Sequence, residues 1–377
     1  MTDKYLIEPD INFINEVAGL GGDTLKKCFQ CATCSVVCPI SPDTKPFPRK
    51  EMIAASWGLK DRVVKNADIW LCHNCGDCTT KCPRGAKPGD VLGALRSIAI
   101  SEYAVPKGLG KIVNDPKKLP ILILIPAVLF IVVGLVTGLL NFSPEGHEIA
   151  HTNFFSTWLV DIIFVPLSIW AVTIFALGVK NFLNDIHQDA VMNGKTKKEN
   201  LDIKEFLSSI VKILPMILKH DKFEECGENK DRALAHKMVL YSFLGLAVVT
   251  GVFCVFLYIL HIEGPYSQLN PVKWLANISG IALIAGAYLM IKSRMDNVDQ
   301  VTSYKDWYLL GLVLGLGLTG MLTEMTRLAH MAGVSYALYF IHLIFVFNLF
   351  AFLPFSKLAH LVYRTVALGY AEYSNRQ

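Results

Sequence analysis

The amino-terminal part of the sequence has almost no strand-like alternation of apolar and polar residues. A strand with one buried face needs such alternation, so its absence argues against a sheet and favours an all-α fold. The sequence also lacks a G-x-G-x-x-G fingerprint after a strand and a phosphate-binding P-loop. Signs of nucleotide chemistry are therefore missing, and we expect substrate chemistry to lie on other chains.

The chain has too many apolar residues for an ordinary soluble protein, since 53% of its residues are hydrophobic and 18% are charged. The apolar residues concentrate after Leu119. Six runs there are long enough to cross the roughly 30 Å hydrocarbon layer of a bilayer as helices. The predicted spans are 119–140, 155–179, 237–262, 274–291, 307–329 and 335–362.

Lysine and arginine are absent from three loops between these spans, at 141–154, 263–271 and 330–334. Short cytoplasmic loops are enriched in these residues, so the three loops are expected outside and the lysine-rich connections inside. The net charge of +4 follows from this pattern and gives no reason to invoke nucleic acid. We expect a multi-pass protein embedded in the lipid of the inner membrane, with both termini in the cytoplasm.

Eight of the ten cysteines fall into two runs of identical spacing. Each run reads C-x2-C-x2-C-x3-C-P, the spacing by which ferredoxin-like modules hold [4Fe–4S] clusters. In two-cluster ferredoxins the fourth cysteine of each run ligates the other cluster. We therefore predict one cluster on Cys28, Cys31, Cys34 and Cys82, and a second on Cys72, Cys75, Cys78 and Cys38.

Zinc and disulfides are the alternatives for these cysteines. Structural zinc favours two C-x2-4-C knuckles, which have no use for a third cysteine at the same spacing or for a Cys-Pro end. Disulfides need an oxidising compartment, and residues 1–10 contain no signal peptide, so we expect a reducing cytoplasm. The remaining cysteines, Cys226 and Cys254, are interpreted as free thiols.

Two domains and a linker are predicted. Residues 1–103 read as a cytoplasmic, α-helical two-cluster ferredoxin-like domain, 104–118 as a basic linker, and 119–377 as a six-helix transmembrane domain with a cytoplasmic insert at 180–235. Within the insert, 201–218 is amphipathic, and we expect a helix that lies on the membrane surface and kinks at Pro215. Docking of a partner is the alternative for this helix.

Three histidines suggest haem. His342 and His360 lie 18 residues apart on the predicted sixth span, which is five helical turns and about 27 Å, so they share a face. His236 opens the third span at the depth of His360. A bis-histidine haem b needs imidazoles from facing helices on both sides of the iron. We predict an inner haem on His236 and His360, and therefore a cytochrome b domain; interfacial hydrogen-bonded histidines are the alternative.

His342 needs a second ligand for an outer haem. His330 is the first candidate because it ends a neighbouring span at similar depth, and His261, His147 and His151 are others.

Glu324 and Arg327 place charge within the fifth span. Such charge indicates a quinone, propionate or proton site, and we take the pair as a candidate quinone site. Pairing with each other at i, i+3 is the alternative.

Two segments resemble known families. The first 103 or so residues resemble the small iron–sulfur subunit of heterodisulfide reductase, with the Trp-x-Cys entry present as Trp70-Leu71-Cys72. The stretch 342–360, ending in LPFSKLAH, is similar to the last span of nitrate reductase gamma subunits and of the related cytochrome b subunit of heterodisulfide reductase. His236 matches the first histidine of that family, but the second histidine position falls at Leu246, where this chain departs from the pattern.

The fusion of both modules resembles the membrane subunit that joins them in the quinone-interacting membrane-bound oxidoreductases of sulfate reducers, including the stretches WLCHNCGDC and KCPRGAKPGD. That resemblance implies flavin-containing and iron–sulfur cytoplasmic partner subunits, menaquinol as membrane donor and adenylylsulfate reductase as eventual acceptor.

We expect an electron-transfer subunit that links the quinone pool to a cytoplasmic oxidoreductase through one or two haems b and two [4Fe–4S] clusters. The residues are equally compatible with the reverse flow. One alternative is a heterodisulfide-reductase-type membrane subunit. The other is a redox-sensing membrane protein or transporter, which would need charges along a path and broken or repeated helices.

Overall fold

The computed structural model describes residues 8–42, 46–142, 148–221, 232–296 and 303–375. In these ranges the only β pairing is an isolated antiparallel bridge between Leu140 and Phe155, and most residues are helical. The all-α prediction is confirmed. Two residues named above, His147 and Cys226, lie outside the described ranges.

Residues 8–103, called the cluster module below, form short helices around one long helix. They are α1 (Ile11–Val17), α2 (Thr33–Val36), α3 (Arg49–Ser56), α4 (Lys60–Val64), α5 (Asp68–Leu71), α6 (Asp77–Thr80) and α7 (Pro88–Tyr103). In α7, Val91, Leu92, Leu95 and Ile98 recur at helical spacing, and all four are buried. Pro88 opens the helix, where its missing N–H would have had no helical partner.

The rest of the chain forms mostly longer helices, apart from two short ones, Lys107–Val113 and His151–Phe154. They are α8 (Lys107–Val113), α9 (Leu119–Thr137), α10 (His151–Phe154), α11 (Thr157–Met192), α12 (Ile203–Lys219), α13 (Arg232–Tyr258), α14 (Pro271–Asp296), α15 (Tyr304–Leu328), α16 (Ala332–Phe352) and α17 (His360–Tyr373). Six of them, α9, α11 and α13 to α16, are long and apolar enough to cross a membrane. Apolar side chains such as Leu124 and Val172 point outward with 61% and 68% exposure, which is compatible with a lipid-facing surface.

Helix α11 extends well beyond its predicted span of 155–179, because it continues unbroken to Met192. Its added turns carry Phe182, Leu183 and Ile186 into the core of the cluster module. Hydropathy detects only the lipid-facing part of this helix, so the extension was not predicted.

The predicted sixth span is not one helix. α16 ends at Phe352, short 3₁₀ turns cover Leu353–Phe355 and Lys357–Ala359, and α17 starts at His360. Pro354 cannot donate a backbone hydrogen bond, and Ser356 is extended, with its hydroxyl accepting from the Leu358 N–H. The prediction that His342 and His360 share one continuous helical face is therefore wrong.

The amphipathic segment expected at 201–218 is helix α12. Phe206 and Ile213 are buried, and the Phe206 ring packs against Tyr373 of α17. Leu207 and Val211 remain 55% and 69% exposed. The helix therefore has one apolar strip against the protein and a second strip that is available to lipid.

Candidate iron–sulfur and haem sites

The two cysteine loops share one backbone conformation. Gln30 and Asn74 occupy matching positions and have φ values of 60° and 56°. Ala32 and Gly76 also match, with φ values of 69° and 94°, and each precedes a one-turn helix. Positive φ is uncommon outside glycine. Its recurrence at the same two positions indicates that each loop is shaped to curl around a centre of its own.

Two backbone N–H groups in the second cysteine loop point at sulfur. The Asn74 N–H donates to Cys72 Sγ at 3.3 Å, and the Ala86 N–H donates to Cys82 Sγ at 3.4 Å. Hydrogen bonds to ligand sulfurs are one of the factors that set cluster reduction potentials. The second loop therefore supplies both candidate ligands and backbone groups that would tune them.

The structure brings the eight thiols together in two sets. The strongest cysteine neighbours of Cys34 are Cys28, Cys31 and Cys82. The strongest cysteine neighbours of Cys78 are Cys72, Cys75 and Cys38, and these four line one small cavity. Each set joins three cysteines of one run to the last cysteine of the other, which is the arrangement that crossed ligation requires.

Among the described residues, no three His, Cys, Asp or Glu side chains converge closely enough to hold one ion. A tetrahedral zinc site would draw its sulfurs to about 2.3 Å from one centre. A cubane cluster places its own iron and sulfide atoms between the thiolates, so its ligands need not converge on one centre.

Burial raises the pKa of two of these thiols, to about 11 for Cys34 and to about 12 for Cys38. Cys31 is exposed, and its pKa is lowered mainly because the Thr33 hydroxyl lies 3.4 Å from its sulfur. The buried thiols keep their protons at neutral pH, so iron binding there has to release protons.

Aromatic packing joins the cluster module to the membrane helices. Trp70, two residues before Cys72, is fully buried, with its ring 5.4 Å from Tyr363 of α17 and 6.0 Å from Phe182 of α11. Tyr103 packs on the same Phe182 ring. The second cysteine loop is therefore fixed against the helix that begins at His360.

A cavity of about 680 Å³ lies between the cluster module and the membrane helices. Its lining includes Cys72 and His73 of the cluster module and His236 and His360 of the membrane helices. Cofactor sites commonly measure about 300–1,000 Å³, so the space suits a haem. The structure thus brings together both histidines predicted for the inner haem, next to a predicted cluster ligand.

The two histidine rings have the separation that a bridging iron needs. Their centroids lie 6.5 Å apart. Metal–imidazole bonds of about 2 Å on either side of one ion place the rings on the order of 6 Å apart. His360 Nδ1 donates to the Lys357 carbonyl oxygen at 2.5 Å, which assigns its lone pair to Nε2. The donor set therefore fits bis-histidine ligation.

Positive charge dominates the wall of this cavity. Seven lining residues are lysine or arginine and three are aspartate. They include Arg96 of α7, Arg232 of α13 and Arg364 of α17. Arginine binds carboxylates in paired, charge-assisted hydrogen bonds, so this wall suits the propionate groups of a haem.

The structure places His342 against α15 rather than beside His330. Thr319 Oγ1 lies 2.9 Å from His342 Nδ1. A Cβ at Gly320 would sit only 3.1 Å from the His342 ring, so glycine makes room for it. His330 is exposed just after α15, whereas His151 is within electrostatic range of His342.

Glu324 lies in an ion-pair network. The network is at the same end of the helix bundle as α10. The Glu324 carboxylate accepts from Arg327 Nη2 at 2.7 Å and from Lys273 Nζ at 2.9 Å, and Gln268 also donates to it. The i, i+3 pairing is therefore present. Lys273 was not singled out from the sequence because it lies just past the lysine-free loop 263–271.

Residues 24–86 match the family described as "4Fe-4S dicluster domain". The amino-terminal part of this chain is an iron–sulfur dicluster module. The matched range contains all eight cysteines of the two runs.

Curated relatives carry a similar module. One subunit of the H2:CoB-CoM heterodisulfide,ferredoxin reductase of Methanothermobacter marburgensis is 31% identical over 118 residues, which is 28% of this chain and 64% of the relative. An iron–sulfur subunit of the CoB–CoM heterodisulfide reductase of Methanocaldococcus jannaschii is 40% identical over 102 residues, or 25% and 54% of the two chains. The chain thus spans less than two thirds of each relative. No solved structure matches it.

Proposed function

We propose that this chain is a membrane electron-transfer subunit that links the quinone pool to a cytoplasmic oxidoreductase. The observation that carries the proposal is the cavity shared by Cys72, His236 and His360. When bound, a haem b and two [4Fe–4S] clusters would supply the one-electron chemistry. The protein's own part is to hold, space and insulate these groups.

The residues define the order of the path. His236 and His360 would hold a haem b in the cavity, and Cys72, which lines the same cavity, would hold a cluster next to it. Crossed ligation then connects this cluster to the second one. Cys38 comes from the first run but would ligate the cluster of the second run, and Cys82 comes from the second run but would ligate the cluster of the first. The path therefore runs from the membrane helices through both clusters without leaving the chain.

The second cluster would face a soluble partner. Cys31 is exposed, and its neighbours Phe29 and Val36 are 66% and 84% exposed. Lys26 and Lys27 lie beside them on the surface. An exposed ligand surrounded by apolar and cationic side chains is a suitable place for a partner protein to exchange electrons.

In its more specific form, the proposal is that menaquinol donates the electrons and that they are finally used to reduce adenylylsulfate. The partners would be flavin-containing subunits. The resemblance of the fused modules to the membrane subunits of sulfate reducers supports it. A heterodisulfide-reductase-type complex is the second candidate, and the similarity to subunits of heterodisulfide reductases favours it. The membrane orientation proposed for both places the termini and the cluster module in the cytoplasm.

An optical and analytical measurement on the purified chain tests the proposal. We expect a dithionite-reduced minus oxidised spectrum of haem b, one or two haems per chain by pyridine haemochrome, and about eight non-haem irons. A menaquinol analogue should reduce the same haem. Eight irons without haem would contradict the proposal and favour a membrane-anchored redox sensor.

Glu324 and Arg327 are proposed to contact the quinone, with the carboxylate accepting a proton when quinol is oxidised. Glu324→Gln should then slow haem reduction by a quinol analogue severalfold while leaving haem content unchanged. Lys273→Gln is the matched control, because it breaks the same ion-pair network but keeps the carboxylate. Equal slowing in both variants in stopped-flow reduction would show that the network is only structural.

A further inference from the structure

His220, which the sequence did not single out, reaches the candidate haem ligand His236. It lies just past the end of α12, whereas His236 lies on the first turns of α13, 16 residues later. His220 Nε2 is 2.8 Å from His236 Nδ1, and the two ring centroids are 4.9 Å apart. His220 is only 7% exposed, so this contact is shielded from water.

The hydrogen bonds around His220 assign the protons. Its Nδ1 lies 3.0 Å from the Leu218 carbonyl oxygen, which can only accept, so Nδ1 carries the hydrogen. The Tyr241 hydroxyl donates to the same oxygen at 3.0 Å and holds it in place. In the neutral imidazole, Nε2 of His220 is then an acceptor, and His236 Nδ1 must be the donor.

This chain of bonds gives His236 the form that a metal ligand needs. With the proton of His236 on Nδ1, the lone pair is on Nε2, the atom that would face the iron. Ligating histidines usually donate their other N–H to a nearby acceptor, which fixes the ring and makes the ligand more basic. His360 has the equivalent arrangement through the Lys357 carbonyl. The acceptor for His236 is an imidazole and not a carbonyl.

We propose that His220 is a positioning residue that orients His236 and strengthens it as a haem ligand. The backbone supports this role, because His220 has a φ of 62°, an uncommon left-handed conformation for a residue with a side chain. That conformation ends α12 and turns the imidazole toward α13. This inference rests on the proposed haem site.

The test compares His220→Leu, which removes the acceptor, with His220→Gln, whose amide oxygen can still accept. In His220→Leu we expect haem affinity to fall about 10- to 100-fold. The midpoint potential of the retained haem should rise, because a less basic ligand stabilises ferric iron less. The low-spin EPR signal should shift as the His236 ring rotates. His220→Gln should restore most of each property.

His187→Leu is the matched control. His187 is also 7% exposed and is hydrogen-bonded to Tyr370 and to the Glu199 carbonyl, away from the haem cavity. An unchanged potential and EPR signal in His220→Leu, or an equal change in His187→Leu, would overturn the inference. If His220→Leu binds no haem, the His220→Gln variant decides. Wild-type haem properties in His220→Gln support the role, and an equal loss of haem overturns it. Wild-type protein without haem b would instead refute the proposed function.

Discussion

Replacing Cys31 and Cys82 together by alanine is expected to leave one cluster per chain, whereas replacing Cys75 and Cys82 together is expected to leave none. Cys31 and Cys82 belong to one thiol set around Cys34, so both substitutions damage the same cluster. Cys75 belongs to the set around Cys78, so the second pair damages both clusters. Ligation within each run predicts the opposite result, because Cys75 and Cys82 lie in the same run and their loss would then damage only one cluster.

Iron analysis separates the two arrangements. Crossed ligation predicts about four non-haem irons in the Cys31/Cys82 variant and close to zero in the Cys75/Cys82 variant. Ligation within each run predicts the reverse, and that result would overturn the assignment. Cys254→Ala is the control, since this exposed cysteine lies on α13, outside both runs, and its loss should leave the iron content unchanged. Haem content reports whether each variant is folded.

Much of the cluster module could be predicted because its chemistry is local. Three of the four thiols of each set lie within seven residues of one loop, so their spacing can be read directly from the sequence. The amphipathic helices were also predictable, since Val91, Leu92, Leu95 and Ile98 repeat at the helical period and are buried. Hydropathy similarly located the six long helices.

The break between α16 and α17 could not be read from hydropathy. The segment Leu353–Phe355 is as apolar as the helix before it, so the apolar run continues although the helix does not. The helix ends because of backbone chemistry at Pro354 and Ser356, which an average over side-chain polarity does not detect. His360 therefore begins a new helix, and its pairing with His236 depends on that helix and not on the register of α16.

Contacts between segments that are distant in the sequence could not be predicted from it either. His220 and His236 meet because the carboxyl end of α12 lies close to the start of α13. Lys273 meets Glu324 because α14 and α15 pack side by side, 51 residues apart in the chain. Neither pair has a fixed spacing that a motif could reveal, so the residues around the candidate haem and quinone sites emerged only from the fold.

Substituting His360 by leucine should remove the haem at the cavity, so that haem content falls by one per chain. A bis-histidine site that loses one imidazole loses both an iron bond and the low-spin state. His220 cannot take the place of His360, because it contacts the Nδ1 side of His236 and not the side that would face the iron. Iron–sulfur content should stay near wild type, because the predicted cluster ligands are cysteines of the cluster module. Pyridine haemochrome and EPR measure both quantities.

His187→Leu is the matched control for this variant, because His187 is also a buried histidine but is hydrogen-bonded to Tyr370 and to the Glu199 carbonyl oxygen, away from the cavity. The decisive comparison is kinetic. Dithionite should still reduce the clusters in His360→Leu, but a quinol analogue should reduce them at least tenfold more slowly. Wild-type reduction by quinol in that variant would show that the cavity is not on the route.

The expectation of slow reduction follows from the packing, since α17 carries His360 at its first residue and Tyr363 one turn later, against Trp70 and the loop of Cys72. One short helix thereby fixes the candidate haem ligand and the neighbouring cluster loop relative to each other.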